Sequence, residues 1–258
     1  MGALASPETI RKLKSGLLVS CQAPKGSPLD HPRIIAALAK AAEQHGAVGV
    51  RINGPANIRA VRSAVNIPVI GIEKLRRGSS PVYITPTLAS GRRVVRAGAG
   101  IVALDCTARR RPNGERLERI IAELKRRSHV LIMADVSTVE EGVAAAGMGV
   151  DLVATTLHGY TENTHPHHRP AFGLLRKLAQ KLRVPVILEG RVRTPEDLRK
   201  GFDLGAYAVV VGTAITDVEW LVRMFVEATP RAKHHLPGRL QVAGRLEPEI
   251  PNACEYST

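Results

Sequence analysis

A lysine follows an apolar stretch of this chain that has the composition of a buried strand. Lys74 stands two residues after the run 68–72, which reads Pro-Val-Ile-Gly-Ile. An ammonium group in such a place must be desolvated or reach a cavity, so it is a poor structural choice and a good catalytic one. Arg76 and Arg77 come next, and their positive charge would lower the pKa of the amine, leaving a fraction free to accept a proton. Taken alone, these residues also fit a surface lysine just beyond a strand.

Other polar residues close apolar runs in the same way. They are Gln22, Arg51, Asp105, Asp135, Thr156 with His158, and Glu189. If the runs are parallel strands of a barrel, their carboxyl ends meet on one face and these side chains converge there. Basic groups together with carboxylates can move protons and orient a polar substrate, so the pattern predicts a catalytic pocket. Asp105 also fits a structural role, as the cap of the loop that contains Thr107.

Glycines follow the last two apolar runs. Gly190 stands between Glu189 and Arg191, and Gly212 precedes Thr213. Backbone N–H groups in such turns can approach a phosphate closely, and barrels of eight β/α units usually bind phosphate after strands seven and eight. Either glycine alone would be typical of any tight turn, but the pair predicts a phosphorylated substrate.

The elements that must position these residues alternate along the chain. A short helix ends near residue 14, and 82–86 adds an extended piece. Apolar runs occupy 16–21, 47–52, 68–72, 101–105, 130–135, 151–156, 185–189 and 206–211, with helical patterns between them and a last helix over 216–227. This alternation predicts a parallel sheet with right-handed crossovers. About eight such units in roughly 230 residues fit an α/β fold of the (β/α)₈ TIM barrel type better than an open doubly wound sheet, which stays the alternative.

Length and composition allow one large hydrophobic core. The chain has 258 residues, of which 44% are hydrophobic. We predict a catalytic barrel domain over residues 1–228 and an irregular basic C-terminal tail over 229–258, where the periodicity stops. No stretch approaches the roughly 20 apolar residues of a membrane span, and the N-terminal residues lack the apolar core of a signal peptide. We therefore expect a cytoplasmic protein with no membrane partner; the sequence does not set the oligomeric state, and a homodimer stays open.

The cysteines and histidines form no metal-binding or disulfide pattern. Cys21, Cys106 and Cys254 are widely spaced, so reduced thiols are expected. Histidines recur from His158 to His168, but no carboxylate stands at a standard ligand offset from them. We expect no bound metal.

The formal charge of +14 would suit a protein that binds a polyanion. Aromatic residues make up only 3% of the chain, so there is no stacking platform for nucleic acid. The basic runs 109–111 and 125–127 are therefore interpreted as solvated helix faces. The positive field would instead steer a small phosphorylated molecule, and no nucleic-acid partner is expected.

A set of short strings, in order along the chain, resembles one enzyme family. The strings are 20–23 (Ser-Cys-Gln-Ala), 54–58 (Gly-Pro-Ala-Asn-Ile), 68–74, 84–86 (Ile-Thr-Pro), 103–107, 133–138 (Met-Ala-Asp-Val-Ser-Thr), 155–161, 189–190 and 211–216. They are similar to those of the N-acylmannosamine-6-phosphate 2-epimerases of sialic-acid catabolism, and the resemblance runs from about residue 16 to residue 227.

The resemblance implies interconversion of N-acetylmannosamine 6-phosphate and N-acetylglucosamine 6-phosphate on a (β/α)₈ barrel, without a metal or organic cofactor. It makes Lys74 and Glu189 the proton-transfer pair. Gln22 and Arg51 are expected to orient the N-acetyl and hydroxyl groups. Asp135 would bind sugar hydroxyls or tune the lysine. The remaining substrate-binding residues that it implies are Thr156, with Gly190, Arg191, Gly212 and Thr213 toward the 6-phosphate.

One departure from the family pattern concerns the phosphate. The family commonly has Arg-Pro after the string 214–216, whereas this chain has Asp217-Val218. An acid there repels a phosphate dianion. Either Arg191 or Arg193 substitutes for the missing arginine, or phosphate affinity is weakened, or the substrate differs.

Two other functions stay open at this point. One is another lysine-dependent phosphosugar barrel enzyme, an aldolase or a synthase, whose Schiff base borohydride would trap. The other is a non-catalytic barrel that binds a polyanion, for which affinity would fall steeply with salt and would not depend on Lys74.

Overall fold

Eight parallel strands form a closed barrel in chain order in the computed structural model, which describes residues 7–76, 78, 80–128, 130–164 and 166–231. The strands are β1 (Leu17–Cys21), β2 (Gly49–Asn53), β3 (Val69–Ile72), β4 (Ile101–Asp105), β5 (Leu131–Asp135), β6 (Leu152–Ala154), β7 (Val186–Glu189) and β8 (Ala208–Val211). β8 pairs with β1 and closes the sheet. The predicted (β/α)₈ barrel is confirmed, and the open-sheet alternative is wrong.

Helices follow the strands and surround the barrel. They are α1 (Pro7–Leu13), α2 (Pro32–Gln44), α3 (Pro55–Ala64), α4 (Leu88–Arg96), α5 (Leu117–Ser128), α6 (Val139–Gly147), α7 (Phe172–Lys181), α8 (Pro195–Asp203), α9 (Thr213–Thr216) and α10 (Val218–Glu227). The extended piece predicted at 82–86 is only an isolated antiparallel bridge between Lys74 and Ile84. The helix predicted over 216–227 is confirmed as α10 but begins two residues later, at Val218, because Asp217 ends the short helix α9, which was not predicted.

The core has two layers because successive strand residues point to opposite faces of the sheet. One layer lies between the barrel and its helices, and the other fills the barrel interior with side chains such as Leu18, Ile70, Met133 and Ile187. These residues are fully buried, as expected of a parallel sheet covered on both faces. Toward the carboxyl ends of the strands, the inward-facing residues become polar.

Side-chain caps determine where two of the helices begin. Thr194 caps α8 by accepting a hydrogen bond from the Asp197 backbone N–H at 3.1 Å. Helix α6 begins with a capping box, in which Thr138 is the N-cap and Glu141 is its partner. Satisfying the first N–H groups of a helix in this way is worth about 1 kcal/mol.

The C-terminal helix α10 differs from the others, because none of its residues is buried. Phe225 is 69% exposed. Most of the predicted tail lies outside the described residues, so the domain boundary at residue 228 stays a prediction. In the part of the chain that the structure describes, no helix is long and apolar enough to cross a membrane.

Candidate active site

Lys74 lies at the carboxyl end of the barrel, in a loop that doubles back on itself. Strand β3 ends at Ile72, and Lys74 then forms the bridge with Ile84. The backbone N–H of Lys74 donates a 2.9 Å hydrogen bond to Oδ1 of Asn53, the last residue of β2. Two neighbouring strand ends therefore hold the lysine backbone in place.

Arg51 connects the two carboxylates of the site. Its Nη1 and Nη2 donate to Oδ1 and Oδ2 of Asp135 at 3.0 and 2.6 Å, and Nη1 also donates to Oε2 of Glu189 at 2.8 Å. All three side chains lie at the barrel interior; Arg51 is 1% and Asp135 0% exposed. Burial alone would lower the pKa of Arg51, but the two carboxylates raise it, so the guanidinium stays charged. Three buried charges thus form one hydrogen-bonded group.

Lys74 is close enough to this group for its charges to change the pKa of the lysine. The Lys74 side chain is exposed to solvent, but its ammonium group lies in an open depression, where nearby protein atoms replace part of its hydration shell. This desolvation is the main cause that lowers the pKa of Lys74 to about 8, and the positive charge of Arg51 is the second. The negative charges of Glu189 and Asp135 act in the opposite direction. The predicted lowering is confirmed, but Arg51 and not Arg76 supplies the positive charge, since Arg76 lies over the Tyr83 ring. Arg77 is outside the described residues, so its predicted effect is untested.

Glu189 has its pKa shifted in the opposite sense. Burial raises the pKa of this carboxyl to about 7, and the charge of Asp135 adds to the rise, while Arg51 opposes both. The group is the last residue of β7 and only 12% of its side chain is exposed. An amine that loses its proton near pH 8 and a carboxyl that loses its proton near pH 7 therefore act on each other at one rim, as acid–base catalysis requires.

Thr156 contacts the charged group, and Gln22 is bonded to Ser20, which pairs in register with Arg51. Thr156 donates from Oγ1 to Oδ1 of Asp135 at 2.7 Å, which gives this carboxylate a third hydrogen bond. Gln22 donates from Nε2 to Oγ of Ser20 at 2.7 Å, but its Oε1 is buried without a partner among the described residues. The Nε atom of Arg51 is also buried and unpartnered there. Buried polar atoms normally have partners, so these two atoms suit a polar ligand.

The residues predicted to hold a phosphate follow β7 and β8. Gly190 has φ +108° and Arg191 has φ +59°, so the chain turns sharply after Glu189. The Arg191 guanidinium donates to the His158 carbonyl oxygen at 2.9 Å and packs on the Tyr160 ring at 4.0 Å. It is therefore engaged with the loop after β6.

The loop after β8 is tightly packed. A Cβ atom on Gly212 would stand 3.2 Å from Cβ of Ser20, so a side chain fits poorly there. Gly212 precedes α9, whose first residue, Thr213, is exposed. Asp217 accepts a 2.9 Å hydrogen bond from the Trp220 N–H and caps α10. The acid that departs from the family pattern thus has a structural role.

Asp105 holds its own loop, which fits the structural role considered for it. Its Oδ1 accepts hydrogen bonds from the N–H and Oγ1 of Thr107 at 3.1 and 2.7 Å, and its Oδ2 accepts one from Arg109 at 2.8 Å. Arg111 is buried and donates to the carbonyl oxygens of Pro86 and Asp105. The interpretation of 109–111 as a solvated helix face is therefore wrong for Arg109 and Arg111.

The second basic run lies at the surface and is paired there. Lys125 pairs with Asp151, and Arg126 and Arg127 pair with Glu123. Arg126 and Arg127 are each at least 60% exposed, as a solvated helix face requires.

Among the described residues, no cluster of histidine, cysteine, aspartate and glutamate is placed to hold a metal ion. Cys21 and Cys106 are buried free thiols, and burial raises the pKa of Cys21 to about 12. Cys254 and His165 lie outside the described residues.

Two residues near the site were missed by the sequence analysis. Asn53 holds the backbone of Lys74. Burial is the main cause that raises the pKa of Tyr83, and the charges of Asp105 and Asp135 add to the rise, so Tyr83 lies near both carboxylates. Asn53 could have been found, because it stands two residues after Arg51 in β2 and must point to the same face. Tyr83 could not, because a loop and not a strand brings it to the site.

Fold and site together are those of a (β/α)₈-barrel enzyme with ionisable groups of shifted pKa at the carboxyl ends of its strands. Comparison with known proteins narrows this class. The profile of the NanE family, described as "Putative N-acetylmannosamine-6-phosphate epimerase", matches residues 35–231, and the chain belongs to this family.

Individual relatives agree over nearly the whole barrel. The chain is 48% identical over 223 residues to the "Putative N-acetylmannosamine-6-phosphate 2-epimerase" of Synechococcus elongatus, covering 86% of this chain and 96% of that protein. It is 47% identical over 220 residues to the protein of that name from Caldanaerobacter subterraneus, covering 85% and 93%. The solved structure of the N-acetylmannosamine-6-phosphate 2-epimerase from Clostridium perfringens superposes with a TM-score of 0.82 at 39% identity, over 85% of this chain and 96% of that one. These relatives favour the epimerase over the aldolase and the polyanion-binding barrel.

Proposed function

We propose that this protein interconverts N-acetylmannosamine 6-phosphate and N-acetylglucosamine 6-phosphate by proton transfer at C2. The observation that carries the proposal is that Lys74, just beyond the end of β3, and Glu189, at the end of β7 and bonded to Arg51, lie near enough for each charge to affect the pKa of the other group, which is about 8 for the lysine and about 7 for the carboxyl. Such values leave both groups able to give and take protons near neutral pH. Membership of the epimerase family supports the same reaction.

The reaction begins from the open-chain sugar, in which C2–H is next to the C1 aldehyde. Neutral Lys74 takes the C2 proton, and the electron pair of the C–H bond is delocalised onto the C1 oxygen as an enolate. A proton returned to the other face of C2 re-forms the C–H bond with inverted configuration and restores the aldehyde. Glu189 is the acid/base partner, acting at C2 or at the C1 or C5 oxygen. The carbonyl next to C2 supplies the acidity, so the proposal requires no metal or organic cofactor.

The neighbouring groups hold this pair and the substrate. Asp135 keeps Arg51 in place and presents oxygen atoms to sugar hydroxyls, with Thr156 beside it. The unpartnered Oε1 of Gln22 suits a donor such as the N–H of the acetamido group. Arg51, already bound to both carboxylates, presents its free Nε to the enolate or to a hydroxyl.

For the 6-phosphate, we propose backbone donors from Gly190 and Arg191 after β7 and from Gly212 and Thr213 after β8. The first N–H groups of a helix have no partner within it, and Gly212 and Thr213 stand at the start of α9. The phosphosugar is the expected partner. A cytoplasmic location, the absence of a nucleic-acid partner and a homodimer stay predictions.

Proton NMR in D₂O tests the reaction directly. Purified protein given N-acetylmannosamine 6-phosphate should produce the gluco epimer carrying deuterium at C2. Lys74→Ala should form neither the gluco epimer nor C2 deuterium. Lys181→Ala, which removes an exposed lysine of α7, should form both. If folded wild-type protein produces neither the epimer nor C2 deuterium, the proposed reaction is wrong.

A further inference from the structure

We propose that Arg193, packed on Trp220, binds the 6-phosphate of the substrate and makes the enzyme prefer phosphorylated over neutral sugars. The inference rests on the proposed function and adds a residue that specifies the substrate class. It concerns the side chain of one arginine and not the backbone donors proposed above.

Arg193 spans the two segments that follow β7 and β8. It stands four residues after Glu189, in the loop that also contains Gly190. Its guanidinium carbon lies 5.4 Å from the ring centroid of Trp220, in the first turn of α10 beyond β8. Phosphate sites in this fold lie between these two segments. The cation is therefore held at the junction where a 6-phosphate would be bound.

The charge of Arg193 is available for a ligand. Within the described residues, no carboxylate forms an ion pair with its guanidinium; only its backbone N–H is bonded, to Oδ2 of Asp197 at 3.1 Å. The nearby acids have other partners: Asp217 caps α10, Glu219 accepts a 2.6 Å hydrogen bond from Ser27, and Glu196 pairs with Arg199. Arg193 is thus a half-buried cation without a counterion in that part of the chain.

Arg191 is less suited to this role. Its guanidinium already donates to the carbonyl oxygens of His158 and Gly159, at 2.9 and 3.4 Å, and packs on Tyr160. Turning toward a phosphate would break those bonds. Arg193 has no such bonds to lose.

The contact with Trp220 prepares Arg193 for an anion. A guanidinium stacked on an aromatic face keeps the N–H groups along its edge free, and the flat fork of donors matches two oxygens of a phosphate. Arg193 also lines a cavity of about 250 Å³ beside α8, in which Arg191 and Lys200 face the acids Glu196 and Asp197. Both acids have other partners, since Glu196 pairs with Arg199 and Asp197 accepts the backbone N–H of Arg193.

Steady-state kinetics with N-acetylmannosamine 6-phosphate and with unphosphorylated N-acetylmannosamine test the proposal. Arg193→Gln should raise KM for the phosphorylated sugar about 10- to 100-fold, the size expected for one charged hydrogen-bonded contact. It should leave kcat, and kcat/KM for the neutral sugar, within about twofold. Arg199→Gln, which removes an exposed arginine of α8, should change neither substrate.

The role of Trp220 in positioning the arginine is tested in the same assay. Trp220→Leu should reproduce part of the KM increase for the phosphorylated sugar only, and Trp220→Phe should restore most of the affinity. A loss that is equal for both sugars would indicate general disruption of α10 and would contradict the positioning role.

Calorimetry separates this inference from the proposed reaction. N-acetylglucosamine 6-phosphate should bind wild-type protein at least about tenfold more tightly than Arg193→Gln. If that difference is found in a protein that turns over neither sugar, the reaction is wrong and the Arg193 site stands. If wild-type protein turns over the phosphosugar and Arg193→Gln binds it equally well, or if wild-type protein does not bind it, the Arg193 site is wrong.

Discussion

Arg51 and Glu189 are joined by a 2.8 Å hydrogen bond across the interior of the barrel. Arg51 is on β2 and Glu189 on β7, three strands away around the closed sheet, and Asp135 on β5 is three strands away in the other direction. One guanidinium therefore connects strands from well-separated parts of the chain. It positions the carboxyl proposed to exchange protons and lowers the pKa of the lysine.

Glu189→Gln should remove the acid/base partner. We expect kcat to fall by about 10²- to 10⁴-fold, the usual contribution of a general acid or base, with a small change in KM. The negative charge of Glu189 raises the pKa of Lys74, so the variant should also have a lower lysine pKa. Glu196→Gln, an exposed glutamate, is the control. A kcat within about twofold of wild type in Glu189→Gln would exclude the assigned role.

The pH dependence of kcat/KM should be bell-shaped. Activity requires that Lys74 and Glu189 together hold one proton. Neutral Lys74 with protonated Glu189 and ammonium with carboxylate are the two arrangements of that proton, and a pH profile does not distinguish them. The profile should rise through about pH 7 and fall through about pH 8. In Glu189→Gln only Lys74 titrates and it must be neutral to accept the proton, so the falling limb should disappear and activity should rise to a plateau through a lysine pKa lower than in wild type. A flat profile between about pH 6 and 9 would contradict the two pKa values.

Arg51→Met should destabilise the fold. Removing one partner of a buried ion group leaves uncompensated charge, which costs about 3–5 kcal/mol. Without the cation the pKa of Glu189 rises further, so lowering the pH neutralises this carboxyl and the loss should shrink. Urea unfolding at about pH 5 and about pH 8 measures this change. Arg92→Met breaks a half-buried pair with Glu123 at the surface and should cost at most about 1 kcal/mol at both pH values. An equal loss for both variants would contradict the prediction.

Two substitutions at Asp217 separate its capping of α10 from the effect of its negative charge on phosphate binding. Asp217→Ala removes the hydrogen bond to the Trp220 N–H and should lower the free energy of unfolding by about 1 kcal/mol. Asp217→Asn keeps an acceptor and should stay within about 0.5 kcal/mol of wild type, while the lost negative charge should lower KM for the phosphorylated sugar. A higher KM in Asp217→Asn would show that the carboxylate does not repel the phosphate.

The sequence predicted the elements better than the contacts between them. Strand runs are recognisable because parallel strands buried on both faces are continuously apolar, and polar residues such as Lys74 and Glu189 stand out at their ends. The break at Asp217 was missed because a single capping residue inside a helical pattern gives a weak signal. Arg111 was misassigned because its partners, carbonyl oxygens of Pro86 and Asp105, are invisible in a basic run.

The sequence by itself determined the order of the elements and the set of polar residues that close the strands, and it favoured a closed (β/α)₈ barrel over an open sheet. These follow from local periodicity and from the rule that parallel strands present their ends together. Only the tertiary structure decided that Arg51, in the middle of β2 and not at its end, holds both Asp135 and Glu189. That contact and the pKa values around it depend on distances between residues 84 and 138 positions apart, which are set by closure of the barrel.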